Sequence, residues 1–283
     1  MKSIKYLFMV LFLFQTLLQA QSKGYLVIVG GVQTKEIQKK FVELAGGKDA
    51  RIIIIPNAGS EPKRSSESQQ RDYISLGAQA DYLLFNRETA DNEENLKKME
   101  WANAVFFLGG DQSDLTRDMI GTRLLNKVFD IYNKNGVVGG SSAGAAVMSE
   151  IMLTGNELIN KDSSSSFISI QKGNIETAKG FGFIKNAIID QHFLKRKRHN
   201  RLITLMCEHP NLLGIAIDES TAIIVKPDDT FEVIGRNQVL VYDPTESKNI
   251  KTDKSLNLGI SNIKMHLLIS GDKLNLKTRE VIE

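Results

Sequence analysis

The stretch Tyr25-Leu-Val-Ile-Val29 is followed directly by Gly30-Gly31, and this arrangement of an apolar run ending in a turn residue recurs along the first half of the chain. Runs that are apolar at every position are typical of strands buried on both faces, as in a parallel sheet covered by helices. The predicted strands of this kind are Tyr25–Val29, Arg51–Ile55, Tyr82–Phe85, Ala104–Leu108 and Gly136–Val138.

Helical periodicity fills the intervals between these strands. Apolar residues spaced three or four apart predict helices over Thr34–Leu44, Ser66–Leu76, Asn92–Met99 and Asp114–Tyr132. This alternation predicts an α/β fold with a mostly parallel sheet flanked by helices. Ligands of open α/β sheets bind along the carboxyl edge of the sheet, so the residues that follow each strand are the first candidates for a functional site.

The pattern changes in the second half of the chain. A strand over Ala187–Asp190 is predicted to lead into a helix from about Arg198 to Glu208. From Gly214 onward, short apolar segments alternate with turn residues, which predicts a small antiparallel β extension near the C-terminus on the same core. Residues 21–283 are expected to form one domain, with a core over about 23–242 and a tail, 243–283, whose weak alternation predicts no definite structure.

Residues 1–20 are predicted to be a signal peptide. Lys2 and Lys5 precede the apolar run Tyr6–Leu18, and Ala20 is the small residue that signal peptidases favour. We therefore expect an exported protein, periplasmic or extracellular, with no stable membrane association after cleavage; a retained N-terminal anchor is the alternative. The formal charge of the whole chain is +3 and includes those two lysines, so bulk charge identifies no partner.

The stretch Gly139-Gly-Ser-Ser-Ala-Gly-Ala-Ala146 carries the sharpest chemical signal. It contains G-x-S-x-G between a buried strand and a run that can open a helix, the context in which a strained turn exposes a serine hydroxyl above the sheet. Ser142 is therefore the candidate nucleophile, and the N–H of Ala143 is a candidate oxyanion donor. The alternative is a small-residue turn that only packs a helix against a strand.

A serine hydroxyl needs a base, and His192 is the candidate because it follows the predicted strand Ala187–Asp190 and so lies at the same sheet edge. The alternative is a histidine satisfied by local hydrogen bonds. The other histidines lie in a basic run, a loop and the tail: His199, His209 and His266. No histidine pair has metal-ligand spacing, and Cys207 is the single cysteine, so we expect neither a metal nor an organic cofactor.

Two further segments belong to the predicted edge. In Gly109-Gly-Asp-Gln112, the glycines after a strand suit the second oxyanion donor, near Gly110, and Gln112 offers an amide to a substrate. A basic run begins soon after His192, and its guanidinium groups could bind substrate carboxylates, although a solvated helix face is the alternative. The arginines concerned are Arg196, Arg198 and Arg201. A nucleic-acid interface is disfavoured because no aromatic residues are interleaved.

Together these segments resemble cyanophycinases, of the dipeptidase E-like serine peptidase family, from about Lys23 to Ile234. The segments are Gly109–Gln112, Gly140–Met148, Asp190–Phe193 with the arginines that follow, and Gly214–Ala222. The resemblance implies a class I glutamine amidotransferase-like, flavodoxin-like fold, a Ser-His-Glu acyl-enzyme mechanism and release of β-Asp-Arg dipeptides from cyanophycin. It also implies pocket roles for Gln112, Asp190, Gln191, Arg196, Arg198 and Arg201, and makes a homodimer possible.

The same resemblance implies that the third member of a catalytic triad lies between the serine and the histidine. Glu157 is chosen there over Glu150, Asp162 and Glu176. Three alternatives to a cyanophycinase-like activity stay open at this point. They are an aspartyl or isoaspartyl dipeptidase, a non-catalytic binding protein on the same scaffold, and another serine esterase or peptidase with an unrelated arginine helix.

Overall fold

A computed structural model describes residues 23–159 and 167–283. The predicted signal peptide and the candidate Asp162 lie outside these residues. Among the described residues, no helix is long and apolar enough to cross a membrane. The helices are α1 Lys35–Leu44, α2 Pro62–Ser75, α3 Glu93–Trp101, α4 Gln112–Met119, α5 Arg123–Asn133, α6 Ala143–Ala146 and α7 His199–Glu208.

The strands of the described residues form one large sheet, a second sheet of four strands and two sheets of two strands each. In chain order they are β1 Tyr25–Val29, β2 Arg51–Ile55, β3 Gln79–Tyr82, β4 Ala104–Phe107, β5 Val137–Ser141, β6 Ile151–Glu157, β7 Ile175–Lys179, β8 Ala187–Gln191, β9 Leu213–Ile217, β10 Thr221–Val225, β11 Thr230–Gly235, β12 Val239–Asp243, β13 Lys248–Thr252, β14 Leu258–Ser261, β15 Lys264–Leu268, β16 Lys273–Asn275 and β17 Val281–Ile282.

The large sheet has the order β17-β16-β11-β10-β1-β5-β4-β2-β3. Strands β1, β5, β4, β2 and β3 pair in parallel, and β10, β11, β16 and β17 continue the sheet antiparallel beyond β1. The predicted α/β fold with a mostly parallel sheet flanked by helices is confirmed. The strand expected over Tyr82–Phe85 instead spans Gln79–Tyr82, where it forms the edge strand β3.

Both faces of the central strands of the large sheet are buried, which explains why those strands are apolar throughout. In β1, Leu26 and Ile28 belong to one hydrophobic cluster, whereas Val27 and Val29 belong to another on the opposite face. Successive side chains of a strand point to opposite faces, so a strand that is apolar at every position needs a covering layer on each side. Helices α1 and α2 contribute Phe41 and Tyr73 to the second cluster, while α5 packs on the first.

The helix expected over Asp114–Tyr132 is two helices, α4 and α5. The break has two local causes: Gly121 adopts a left-handed φ of 80°, and the Thr122 hydroxyl caps α5 by accepting from the Leu125 N–H at 3.1 Å. The N–H groups in the first turn of a helix have no carbonyl partner within the helix, and the hydroxyl of an N-cap threonine accepts from one of them. The periodicity on each side continues across this break, which is why the sequence pattern suggests a single helix.

The C-terminal extension differs from the expectation that it forms one antiparallel unit. Strands β10 and β11 join the large sheet, whereas β9 and β12 form the second sheet, which has the order β15-β12-β9-β8. Strands β8 and β9 in this second sheet are parallel, with Gln191 opposite Ile217. The chain passes from the second sheet to the large sheet between β9 and β10, so the carboxyl ends of β8 and β9 meet the carboxyl ends of β1 and β5.

Candidate active site

Ser142 occupies a sharp turn between β5 and α6. Its backbone has φ 55° and ψ −109°, a region that side chains rarely adopt, and its N–H donates to the Val29 carbonyl at 3.1 Å. The turn can form because Gly144 has no side chain: a Cβ there would lie 2.3 Å from the Phe107 carbonyl oxygen. Such strain persists only when surrounding packing enforces it, and it is common at reactive centres. The strained strand-to-helix geometry expected for G-x-S-x-G is therefore present.

His192 lies within hydrogen-bond distance of Ser142, although the two residues come from different sheets. The distance from His192 Nε2 to Ser142 Oγ is 2.8 Å, and the distance from His192 Nδ1 to Glu219 Oε1 is 2.7 Å. A carboxylate can only accept, so Nδ1 carries the proton and Nε2 is free to accept from the serine hydroxyl. Serine, imidazole and carboxylate thus form one hydrogen-bonded chain.

The carboxylate beside His192 is Glu219, so the choice of Glu157 was wrong. Glu157 ends β6, and its Oε1 instead accepts from Asn174 Nδ2 at 2.8 Å. Glu219 follows β9, the parallel neighbour of the strand that carries His192, which places both side chains at one strand edge. The signal in the sequence was Gly214-Ile-Ala-Ile217 followed by two acids, a strand end of the same kind as the one before His192.

The backbone of β1 fixes the position of His192. The His192 N–H donates to the Gly30 carbonyl at 2.6 Å, and a Cβ on Gly31 would lie 2.5 Å from the imidazole Cε1. The imidazole is largely buried, with 8% of the residue exposed. Burial lowers the pKa of His192 below its ordinary value, the hydrogen bond that its Nδ1–H donates to Glu219 opposes this shift, and the nearby charges of Arg196 and Arg198 reinforce it. The histidine is therefore neutral near pH 7 and able to act as a base.

Two backbone N–H groups near Ser142 are available to stabilise an oxyanion. Ala143 is the first residue of α6, and Gly110 has φ 144° beside the turn that leads into α4. Neither N–H donates to a backbone carbonyl among the described residues, whereas the next N–H along, that of Asp111, donates to Ala58 at 2.8 Å. Unpaired N–H groups at a helix start suit a developing negative charge.

Gln112 does not present its amide nitrogen to a substrate. The residue is buried, and its Nε2 donates to the carbonyl oxygens of Leu153 at 2.7 Å and Thr154 at 2.6 Å. These two bonds tie the first residue of α4 to strand β6. The expected substrate contact through the amide nitrogen is therefore replaced by a structural link that closes one side of the site.

Asp190 and Arg201 bind each other rather than facing the site. Arg201 Nε donates to Asp190 Oδ2 at 2.8 Å, and a second, shorter contact joins Arg201 Nη2 to Asp190 Oδ1. At most 1% of either residue is exposed, and the Arg201 guanidinium also stacks over Phe167. A bidentate pair that is closed to solvent is out of reach of a substrate, so the expectation that both residues contact substrate directly is corrected.

Arg198 is the arginine of the basic run whose polar atoms stay partly free. Its Nη1 donates to both the main-chain and the side-chain oxygen of Gln191 at 2.8 Å, while its buried Nε has no partner among the described residues. Burial, followed by the charge of Arg201, lowers the pKa of Arg198 to about 9. Arg196 is exposed on the same turn. These two arginines, rather than all three, supply positive charge beside His192.

Comparison with known proteins identifies the family of this chain. The model of peptidase family S51 matches residues 26–234. Cyanophycinase from Synechococcus elongatus is 33% identical over 269 residues, which cover 92% of this chain and 81% of that protein. Cyanophycinase from Geminocystis herdmanii is 33% identical over 268 residues, covering 91% of this chain and 96% of that protein, and one from a Nostoc species is 31% identical over 271 residues, covering 92% and 88%.

Solved structures show the same fold. A peptidase from an acI-B1 actinobacterium matches with a TM-score of 0.68 at 23% identity, covering 91% of this chain and 98% of that one. A putative peptidase E protein from Listeria monocytogenes matches with a TM-score of 0.50 at 14% identity, covering 76% and 98%. Both likenesses are consistent with the expected class I glutamine amidotransferase-like fold. With the family match over most of its length, this chain belongs to peptidase family S51 and is a serine-type peptidase that resembles cyanophycinases.

Proposed function

We propose that this protein is an exported hydrolase that cleaves aspartyl amide bonds of cyanophycin-type substrates and releases β-Asp-Arg dipeptides. The observation that carries the proposal is the hydrogen-bonded chain from Ser142 Oγ through His192 to Glu219 Oε1. These three hydrogen-bonded residues lie at a sheet edge, in a protein that is similar to cyanophycinases over 92% of its length. Export is part of the proposal because residues 1–20 have the sequence pattern of a signal peptide.

The reaction is acyl transfer through Ser142. His192 Nε2 takes the hydroxyl proton, Ser142 Oγ attacks the aspartyl carbonyl, and the N–H groups of Gly110 and Ala143 stabilise the oxyanion. Collapse of this intermediate breaks the C–N bond, and the imidazolium returns the proton to the leaving amine. Water, deprotonated by the same imidazole, then attacks the ester and releases the acid product with Ser142 restored.

Glu219 supports the base without reacting. Its carboxylate accepts the Nδ1 proton of His192, which holds the ring in the tautomer that leaves Nε2 free and stabilises the imidazolium once it forms. Arg198 and Arg196 contribute positive potential next to the imidazole. A carboxylate of the substrate is expected to bind in this positive potential.

The test is to incubate the protein lacking residues 1–20 with insoluble cyanophycin and, in parallel, with a panel of Asp-X dipeptides. Mass spectrometry of the soluble products should identify β-Asp-Arg. The Ser142→Ala protein should fold with an unchanged circular dichroism spectrum and release none, because no other group of the site can form the acyl-enzyme. Turnover of dipeptides alone would replace cyanophycin by small aspartyl peptides as substrate, and wild-type activity in Ser142→Ala would refute the mechanism.

Export has a test of its own. The full-length chain, expressed in a bacterial host, should be recovered outside the cytoplasm with Gln21 as its first residue. N-terminal sequencing of the fractionated protein measures this directly. A protein retained in the membrane fraction with residues 1–20 still attached would support the retained anchor instead.

A further inference from the structure

The oxyanion donor Gly110 lies in a segment that is held by strand β2 and by the turn that follows it. On one side of Gly110, the Leu108 N–H donates to the Ile55 carbonyl at 2.9 Å. On the other side, the Asp111 N–H donates to the Ala58 carbonyl at 2.8 Å. These two hydrogen bonds bracket Gly110, so the position of the turn helps to set the direction of its N–H.

The turn and the donor are in close contact. A Cβ on Gly110 would lie 1.7 Å from the Ala58 carbonyl oxygen, and the φ of Gly110 is 144°, a value that favours glycine. Glycine therefore permits both this close approach and this backbone angle. Because no space is left between the two main-chain segments, a shift of the turn at Ala58 displaces Gly110 as well.

The side chain of Asn57 anchors this turn. Asn57 Nδ2 donates to the Phe85 carbonyl at 2.8 Å and to Asp118 Oδ2 at 3.0 Å, so both of its amide protons are used. Asp118 is buried, with 5% of the residue exposed, and its other oxygen accepts from Arg117 Nε at 2.9 Å. A buried carboxylate that accepts two hydrogen bonds has a fixed orientation, and it fixes the Asn57 side chain in turn.

Asp118 belongs to the helix that follows the oxyanion donor. Helix α4 begins directly after Asp111, and Asp118 lies in its last turn. Two hydrogen bonds close this stretch of chain into a ring. Asp118 is joined to Asn57, and the residue after Asn57 is joined back to Asp111. The peptide that carries the Gly110 N–H cannot rotate freely unless one of these hydrogen bonds breaks.

We propose that Asn57 and Asp118 are positioning residues that hold the Gly110 N–H in the direction that a developing oxyanion requires. Their hydrogen bonds do not reach the reacting groups of Ser142 and His192, so they act through the main chain of the turn. The inference rests on the acyl transfer proposed above, in which the oxyanion forms. Donors that are already oriented need no reorganisation as charge develops, and a displacement of about 1 Å can reduce turnover by on the order of a hundredfold.

The first experiment removes the anchor of the turn. Asn57→Ala should lower kcat by about tenfold to a hundredfold and change KM by less than about twofold, because the oxyanion exists in the transition state and not in the bound substrate. The rate is expressed per active site titrated with a fluorophosphonate, so a loss of folded protein does not imitate the effect. The rate constant of fluorophosphonate labelling of Ser142 should fall too, because the phosphoryl oxygen of the probe uses the same N–H donors.

Asn103→Ala is the matched control. Asn103 Nδ2 also donates to two main-chain carbonyls, those of Ala45 at 3.2 Å and Asp49 at 3.3 Å, and its Oδ1 accepts from a main-chain N–H. This asparagine precedes β4, at the opposite edge of the large sheet from Ser142. Its loss should reduce stability but leave kcat per titrated site within about twofold of wild type. Equal values of kcat in the two alanine variants would overturn the inference.

Asp118→Ala is a milder variant that also tests how the effect is transmitted. It leaves the hydrogen bond from Asn57 to Phe85 in place, so kcat should fall by about three- to tenfold, less than in Asn57→Ala. The double variant should have the same kcat as Asn57→Ala, because Asp118 acts through Asn57. Losses that multiply would overturn this coupling. If Asn57→Ala does not fold, the comparison of Asp118→Ala with Asn103→Ala decides the inference.

Failure of the proposed function has a different signature. If the wild-type protein is labelled by the fluorophosphonate but hydrolyses no aspartyl peptide, the substrate class is wrong. The ratio of labelling rate constants among wild type, Asn57→Ala and Asn103→Ala still measures the alignment of the oxyanion donors in that case. Equal labelling rate constants in all three proteins would reject the positioning role, whatever the substrate is.

Discussion

Two side-chain pairs lie side by side at the end of β8, and they differ in burial, charge and hydrogen bonding. Asp190 and Arg201 are closed to solvent and bind each other with two hydrogen bonds. The side chains of His192 and Glu219 are 10% and 23% exposed, and their one hydrogen bond continues to a hydroxyl. Both pairs join a carboxylate to a nitrogen donor, but the first is bidentate and closed to solvent, whereas the second leaves Nε2 of His192 directed at Ser142.

The difference indicates that one pair stabilises the fold and that the other takes part in catalysis. The buried Asp190–Arg201 pair holds α7 against β8 and sets the direction of the chain after His192. The partly exposed His192–Glu219 pair moves a proton. Breaking the first pair should therefore reduce stability, and breaking the second should reduce turnover. The following experiments are ordered from the largest expected effect to the smallest.

Glu219→Gln should reduce kcat by about four orders of magnitude, because a neutral amide stabilises neither the required tautomer nor the imidazolium. In free-energy terms this is about 5 kcal/mol of transition-state stabilisation. Steady-state kinetics with the best aspartyl substrate would measure it, and the thermal midpoint should change little. Glu157→Gln is the control, since that carboxylate bonds to Asn174, and it should keep kcat within about twofold of wild type. Equal losses in both variants would contradict the assignment of Glu219.

Arg201→Met should reduce the free energy of unfolding by about 3–5 kcal/mol, because it leaves the Asp190 carboxylate buried without its partner. Urea denaturation followed by circular dichroism would measure the loss. Arg196→Met removes the same charge from an exposed position and should change stability by less than about 0.5 kcal/mol. The double change Asp190→Leu with Arg201→Met should be less destabilising than Arg201→Met alone. If the single and double variants were equally destabilised, the unpaired charge would not be the cause.

Arg198→Ala should raise KM for substrates with a free carboxylate by about tenfold, the effect of one charge-assisted hydrogen bond, with a smaller change in kcat. The effect should shrink at high ionic strength, since salt screens the interaction. Lys197→Ala, the exposed cation next to it, is the matched control and should leave KM unchanged. A loss confined to kcat would assign Arg198 a positioning role through Gln191 instead.

The pH dependence is the smallest expected effect. Burial is the largest of the causes that hold the pKa of His192 below its ordinary value. The imidazole is therefore neutral at neutral pH, where we expect full activity. Activity should fall only as the pH drops through that lowered pKa, below about 6.5. The neutral imidazole also stabilises the fold above pH 6.5, and this contribution is lost as the pH falls through the lowered pKa. Profiles of kcat/KM for wild type and Arg196→Gln would measure it, and the limb should move to higher pH in the variant, because Arg196 disfavours protonation.

The sequence predicted those parts of the molecule that are determined by local pattern. Strands β1 and β2 have the expected bounds, and the turn at Ser142 needed only its flanking residues to be recognised. His192 was found by the same rule, because it directly follows a buried strand. These features depend on a few neighbouring residues, whose burial and turn preferences are visible in any single chain.

The features that the sequence did not predict depend mainly on which strands become neighbours in the folded protein. A local sequence pattern does not contain this information. Glu219 was missed because the resemblance placed the third triad residue between Ser142 and His192, and because β9, which pairs in parallel with β8, was assigned to an antiparallel extension. Arg201 has the same charge as the exposed Arg196, and only the position of Asp190 beside it determines that it is buried. The break between α4 and α5 was hidden because the apolar spacing continues across Gly121.

The assembly of the site across two sheets has a consequence for the folding chain. Ser142 belongs to the large sheet, whereas His192 and Glu219 come from the second sheet, and a backbone hydrogen bond from His192 to Gly30 joins the two. A nascent polypeptide in which only the parallel strands β1 to β5 have formed carries a hydroxyl with no base to activate it, and such a hydroxyl is a poor nucleophile. Ser142 therefore stays unreactive until β8 and β9, which are followed by His192 and Glu219, have docked.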